Sequence, residues 1–132
     1  MKLIADNLRI TKTMVQAALE AKNPEPLQAI VTACEKNGAM AIDLNTGPLK
    51  KNPEKEMAFF IHAVEAVTTP PLMIDTASPA AMRAGLETAT NPVMINGFSL
   101  EPRKLAQILP LAVQYNADIV GFLLYPDSRV PK

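Results

Sequence analysis

The stretch PLMIDTASPAAM, residues 71–82, decides how the rest of the chain is read. Residues 71–74 form an apolar run too short for a helix, and one carboxylate, Asp75, ends it. Three positions on, Ser78 offers a hydroxyl to cap a helix, and Pro79 takes the first helical position, where its missing N–H costs nothing. Helix then follows through about Leu86. The stretch reads as a strand passing into a helix, with a charge held at the junction.

The same grammar recurs on both sides. Short apolar runs at residues 2–5, 39–42, 92–95 and 118–124 bring the expected strands to five. Their nearly continuous apolarity means that both faces of each strand are covered, the habit of parallel sheets. Helices are expected between them. Residues 13–21 look helical before Asn23, Pro24 and Pro26 interrupt, and a second helix runs to Lys36 with Gly38 as its C-cap. Asn52, Pro53 and Glu54 open a helix carrying Met57, Phe60, Ile61, Val64 and Val67, which Thr68 to Pro71 stop. Ser99 caps a last helix whose Leu105, Ile108, Leu109 and Ala112 recur at helical spacing and which ends near Asn116. Strand and helix alternate without a linker or low-complexity tract, so residues 1–132 read as a single α/β domain.

Composition narrows the partners. Thirteen basic residues balance thirteen acidic ones, so no overall field draws in nucleic acid or an anionic membrane. A small or neutral ligand fits better. Cys34, the single cysteine, excludes an intrachain disulfide and gives no zinc spacing, and a reducing cytoplasm is the default. No apolar run reaches the ~18 residues of a membrane span, and the first ten residues lack the apolar centre of a signal peptide. The five glycines fit neither dinucleotide nor P-loop patterns.

Three strands end alike. Asp43 follows Ile42 in AIDLNTGP, Asp75 follows Ile74 in LMIDT, and Asn96 follows Ile95 in VMING. In parallel α/β folds the loops after the strand C-termini share one face, where ligands bind, so these residues are expected to converge. Any one of them could instead cap a helix or fix a turn. Three together argue for a site, and Asp75 most of all, because Ser78 is the better cap and leaves the carboxylate for a ligand.

These motifs resemble those of the pterin-binding (β/α)8 barrels. That family includes dihydropteroate synthase and, more closely here, the methyltetrahydrofolate methyltransferases that pass a methyl group to cobalamin or a corrinoid protein. The similarity runs in order from LIADN through GFLLYPDSRVPK. It implies a partial TIM barrel, methyltetrahydrofolate as substrate, and a cobalamin cofactor carried by a partner. It also implies that the third-strand aspartate and fourth-strand asparagine, Asp75 and Asn96, hold the pterin ring. The chemistry suits them. A pterin presents a 2-amino group beside a ring N–H, which an ionised aspartate accepts as it does an arginine fork, and an asparagine matches neighbouring positions of mixed polarity. Asp43 and Asn45 belong to a second-strand motif of the same family and are placed in the pocket wall or a network behind it. Gly97 either lets a ligand approach closely or simply makes a turn.

The departures matter too. The methyltransferases usually end their first strand in Gly-Glu-Arg-Ile-Asn, whereas this chain has ADNLRI; Asp6 would replace the glutamate, and Asn7 is placed facing the ligand. Neither is given a catalytic role. A full barrel takes about 250 residues, whereas this chain of 132 supplies five strands and four helical connections. In the family, later strands supply the residues that build positive charge at the pterin N5 before the methyl leaves. Open first and fifth edges demand cover, from the rest of a longer protein, from a second copy in a homo-oligomer, or from another packing of the sheet. Residues 125–132 read as loop and stop where the family would begin its next helix, which favours the first.

The remaining candidates have plainer readings. His62 belongs to a helix surface, Met40, Met73 and Met94 to core packing, and Cys34 to helix core or boundary. Lys50, Lys51 and Lys55 beside Glu54 and Glu56 form a solvated helix start, or else grip the polyglutamate tail of a folate. No metal site is expected.

Overall fold

The computed structural model describes residues 1–47, 49, 52–99, 101–122, 124 and 129–130. Strands β1 (Ile4–Arg9), β2 (Ala41–Asn45), β3 (Leu72–Asp75), β4 (Val93–Ser99) and β5 (Asp118–Phe122) alternate with helices. These are α1 (Thr13–Ala21), α2 (Glu25–Lys36), α3 (Pro53–Glu65), α4 (Pro79–Thr88) and α5 (Pro102–Tyr115). Neighbours in sequence are neighbours in space, in the order β1-β2-β3-β4-β5, and every pair is parallel. Successive βα units added in one direction, with the helices on one face, make a partial (β/α) barrel.

The core lies between sheet and helices. Leu8, Leu44, Ile74 and Ile95 from the strands share one buried cluster with Leu27, Met57, Phe60 and Met82 from the helices. Gly85 sets how closely α4 approaches: a Cβ there would stand 2.8 Å from Ile74 Cδ1 and 3.1 Å from Met57 Cγ. Ser78 caps α4 as expected, its Oγ accepting from the Ala81 N–H at 3.3 Å. Gly38 follows the end of α2 with a φ of 88°.

Several boundaries are corrected. Ser99 does not cap α5; it is the last residue of β4, and Glu101 and Pro102 begin the helix. Val67 lies beyond the end of α3 and is exposed. The first strand starts later than its apolar run and continues to Arg9. Nor are both strand faces covered. The face away from the helices is polar toward the strand C-termini and open at the other end, where Ile4 is 40% and Met40 52% exposed. Met40 is therefore not core, although Met73 is buried. Among the described residues no helix is long and apolar enough to cross a membrane, and no three His, Cys, Asp or Glu side chains are grouped to hold a metal ion.

Candidate functional site

Strand alternation builds the site. Ile42 and Leu44 point to the helices, so Asp43 and Asn45 point the other way, into the concave face. Register aligns the rest. Arg9 pairs with Asn45, Asn45 pairs with Asp75, and the Ile74↔Ile95 pairing puts Asp75 level with Asn96. Four polar groups thus share one layer at the C-terminal end of four adjacent strands, and Asp43 lies one layer below.

Hydrogen bonds hold this layer. Asn45 Nδ2 donates to Asp75 Oδ2 at 2.8 Å, and Asn45 Oδ1 accepts from the Gly47 N–H at 3.2 Å. Asn96 Nδ2 donates to Asp43 Oδ2 at 3.1 Å. Asp43 is only 5% exposed, and its Oδ1 has no partner among the described residues. The second Asp75 oxygen, Oδ1, faces Gly97, where a Cβ would come within 3.1 Å. Gly97 has a φ of 80° and lies in a bulge of β4 against β5, so this glycine both permits the turn and keeps the carboxylate uncovered.

The loops above are tied together. Thr76 Oγ1 donates to the Gly47 carbonyl at 3.1 Å and accepts from the Ser78 N–H at 3.2 Å. The Thr46 N–H donates to the Asp75 carbonyl at 3.2 Å. A small cleft of about 90 Å³ opens beside them, lined by Asp75, Thr76, Asn96, Gly97, Lys104 and Gln107.

Burial governs the electrostatics. It raises Asp43 from its ordinary 3.8 to about 6, and the nearby Asp75 charge adds to the rise, while the Asn96 hydrogen bond and Arg9 oppose it. Asp75 is raised by burial as well, against the pull of Arg9. Arg9 is itself gripped by both oxygens of Asp6. The concave face therefore sets Asp43 and Asp75 beside one guanidinium, Arg9, which Asp6 already pairs, and it presents hydrogen-bond acceptors to a ligand.

Asp75, Asn96, Asp43 and Asn45 come together as the sequence suggested. Asn7 does not. Ala5 pairs with Ile42 and Leu8 with Leu44, so Asp6 and Asn7 together oppose the single residue Asp43. That bulge turns Asn7 to the helix side, where its Nδ2 lies 3.3 Å from Cys34 Sγ of α2. His62 is exposed and Cys34 buried, as read. Lys55 is exposed, while Lys50, Lys51 and most of residues 125–132 lie outside the described residues. Sequence reasoning missed Arg9, Lys104 and Gln107. Arg9 was findable once β1 was aligned with β2; the two α5 residues carry the spacing of one helix face and no further signal.

A methylcorrinoid:tetrahydrofolate methyltransferase from Eubacterium limosum is 25% identical over 111 residues, which cover 84% of this chain and 41% of that protein. The chain thus spans less than half the length of that curated relative. The family model for pterin binding enzymes matches residues 10–124. Strands β2 to β5 and all five helices fall within that match, which begins just after β1, and the chain belongs to the pterin-binding enzyme family.

Proposed function

We propose that this chain holds the pterin ring of a tetrahydrofolate and forms the ring-binding part of a methyltransferase that exchanges a methyl group with a corrinoid protein. The observation that carries the reading is that Asp75 and Asn96 stand level with each other, each one residue past the Ile74↔Ile95 pair of adjacent strands, with Asp75 Oδ1 left open by Gly97. The relative supports the substrate pair, although its name gives the direction from methylcorrinoid to tetrahydrofolate. Direction does not alter the demand on these residues, because the same ring must be held whichever way the methyl moves. Their work is binding and orientation. Asp75 accepts N–H donors of the ring, Asn96 meets the neighbouring position, and Asn45 and Asp43 support them from behind.

A second reading has its own observation. The concave face is open, with Ile4 and Met40 exposed and β1 and β5 at the edges of the described sheet. The rest of a longer barrel or a partner would cover that face, and a folate-binding half-barrel acting through such a partner, a second copy included, is the alternative.

Calorimetric titration with methyltetrahydrofolate tests the binding claim. The chain is expected to bind, and Asp75→Ala and Asn96→Ala to lose that binding. Unchanged affinity in both variants would sink the site assignment. Dihydropteroate synthase chemistry shares the ring-holding residues, so binding alone does not separate it, and a product assay with each substrate set does. Turnover by the isolated chain would reject the non-catalytic reading.

A further inference from the structure

An asparagine amide turns over at little steric cost, so what it shows a ligand depends on what its other end touches. Both asparagines of the site are held at that other end. Asn45 Oδ1 faces the Gly47 N–H, which can only donate, and its NH2 is thereby directed at Asp75. Asn96 has its NH2 against Asp43 Oδ2. An ionised carboxylate only accepts, so this contact fixes the amide with Oδ1 on the ligand side. The site then shows a ligand two oxygens, Asn96 Oδ1 and Asp75 Oδ1, and Gly97 leaves the latter bare.

Resting on the pterin reading above, we propose that Asp43 is a positioning residue. It locks the Asn96 amide so that the carbonyl meets the 2-amino edge of the ring, and the site thereby rejects a ring that carries oxygen in place of that amino group. A residue that merely filled space would not need to be a carboxylate. Asp43 is almost wholly buried, it has one oxygen without a partner among the described residues, and a buried polar atom left so is costly. Its contact with Asn96 gives that cost a purpose.

The groups facing Asp43 are Arg9 of β1 with its partner Asp6, Asp75 of β3 and Asn96 of β4, with Asp118 of β5 beside Met94 on the same concave face. With its pKa at about 6, Asp43 is ionised and acceptor-only near neutral pH. Below that it gains a proton, can donate to Asn96 Oδ1, and releases the lock.

The test uses the full chain with 6-methylpterin and 6-methyllumazine, which differ in carrying an amino group or an oxygen at ring position 2. Calorimetry at about pH 7.5 should show a preference for the pterin of roughly tenfold or more, because an acceptor facing an acceptor leaves both unpaired. That preference should shrink at about pH 5, and in Asp43→Asn it should be severalfold smaller than in wild type at about pH 7.5, since an asparagine there can accept or donate, with the remainder supplied by Asp75. An Asp43→Asn chain that keeps the wild-type preference overturns the proposal. Failure of the wild type to take either ring overturns the pterin reading instead. The lock is then judged alone, by the side-chain ¹H–¹⁵N signals of Asn96. A titration of those signals near the Asp43 pKa in wild type, and its absence in Asp43→Asn, upholds the lock; no such titration in wild type refutes it.

Discussion

Asn45 Nδ2 donates to Asp75 Oδ2 at 2.8 Å across the β2–β3 pair, so the carboxylate that ends β3 is held by the strand before it. Removing the donor by Asn45→Ala leaves Asp75 Oδ2 without that partner in a partly buried place. The expected cost is about 1 kcal/mol of stability, read from urea unfolding. Folate affinity should fall as well, because Asp75 is then no longer aimed. A variant that loses the stability and keeps the affinity would show that Asn45 serves the fold alone.

Gly97→Ala should cost both stability and binding. Its φ of 80° disfavours any side chain, and the added methyl would stand 3.1 Å from Asp75 Oδ1. We expect a stability loss of about 1–2 kcal/mol together with loss of ligand binding, since the methyl covers the oxygen that the ring must reach. Full binding by this variant, measured by the same titration, would mean that the ligand approaches Asp75 from elsewhere.

The alternation of strand and helix was legible because the helix-facing residues of each strand, such as Ile42, Leu44, Ile74 and Ile95, are apolar, while the strand order of a partial barrel came from the family resemblance. The strand ends were not. A concave face that turns polar toward its C-terminal end makes Asp43 and Asn45 look like loop, although both lie within β2. The same blindness gave Ser99 to the wrong element. Of the site, Asp75 and Asn96 were readable from their repeated place after an apolar run. The fate of Asn7 was not, because it depends on a bulge that shows only when β1 is laid against β2. Arg9 was hidden for the same reason.

The capping assignment has its own test. Ser78 Oγ accepts from the Ala81 N–H, and Asp75 takes no part in capping α4. Ser78→Ala is therefore expected to cost about 1 kcal/mol, with folate affinity retained once the protein is folded. Asp75→Asn should show the reverse, little loss of helix and a large loss of affinity. Circular dichroism melts beside ligand titrations distinguish the two, and a common outcome for both variants would dissolve the division of labour between them.

The pH dependence of stability follows from Asp43. Its folded pKa of about 6 lies above the ordinary 3.8, so the native state holds the proton more tightly than the unfolded chain does. Stability must then fall as pH rises between those values, and the cost is fully present above about pH 6; the two pKa values make it on the order of 3 kcal/mol. Below the unfolded pKa both states are protonated and the cost vanishes. Asp43→Asn removes the titration, so its stability relative to wild type should rise by a cost of that order from about pH 4 to about pH 7.5. Asp75 is raised by burial too and repels Asp43, so part of the difference belongs to the pair rather than to Asp43 alone. Urea unfolding of the two proteins at both pH values gives the number. A difference that does not change with pH would mean that Asp43 ionises as it does in water, and with it would go the reason for its grip on Asn96.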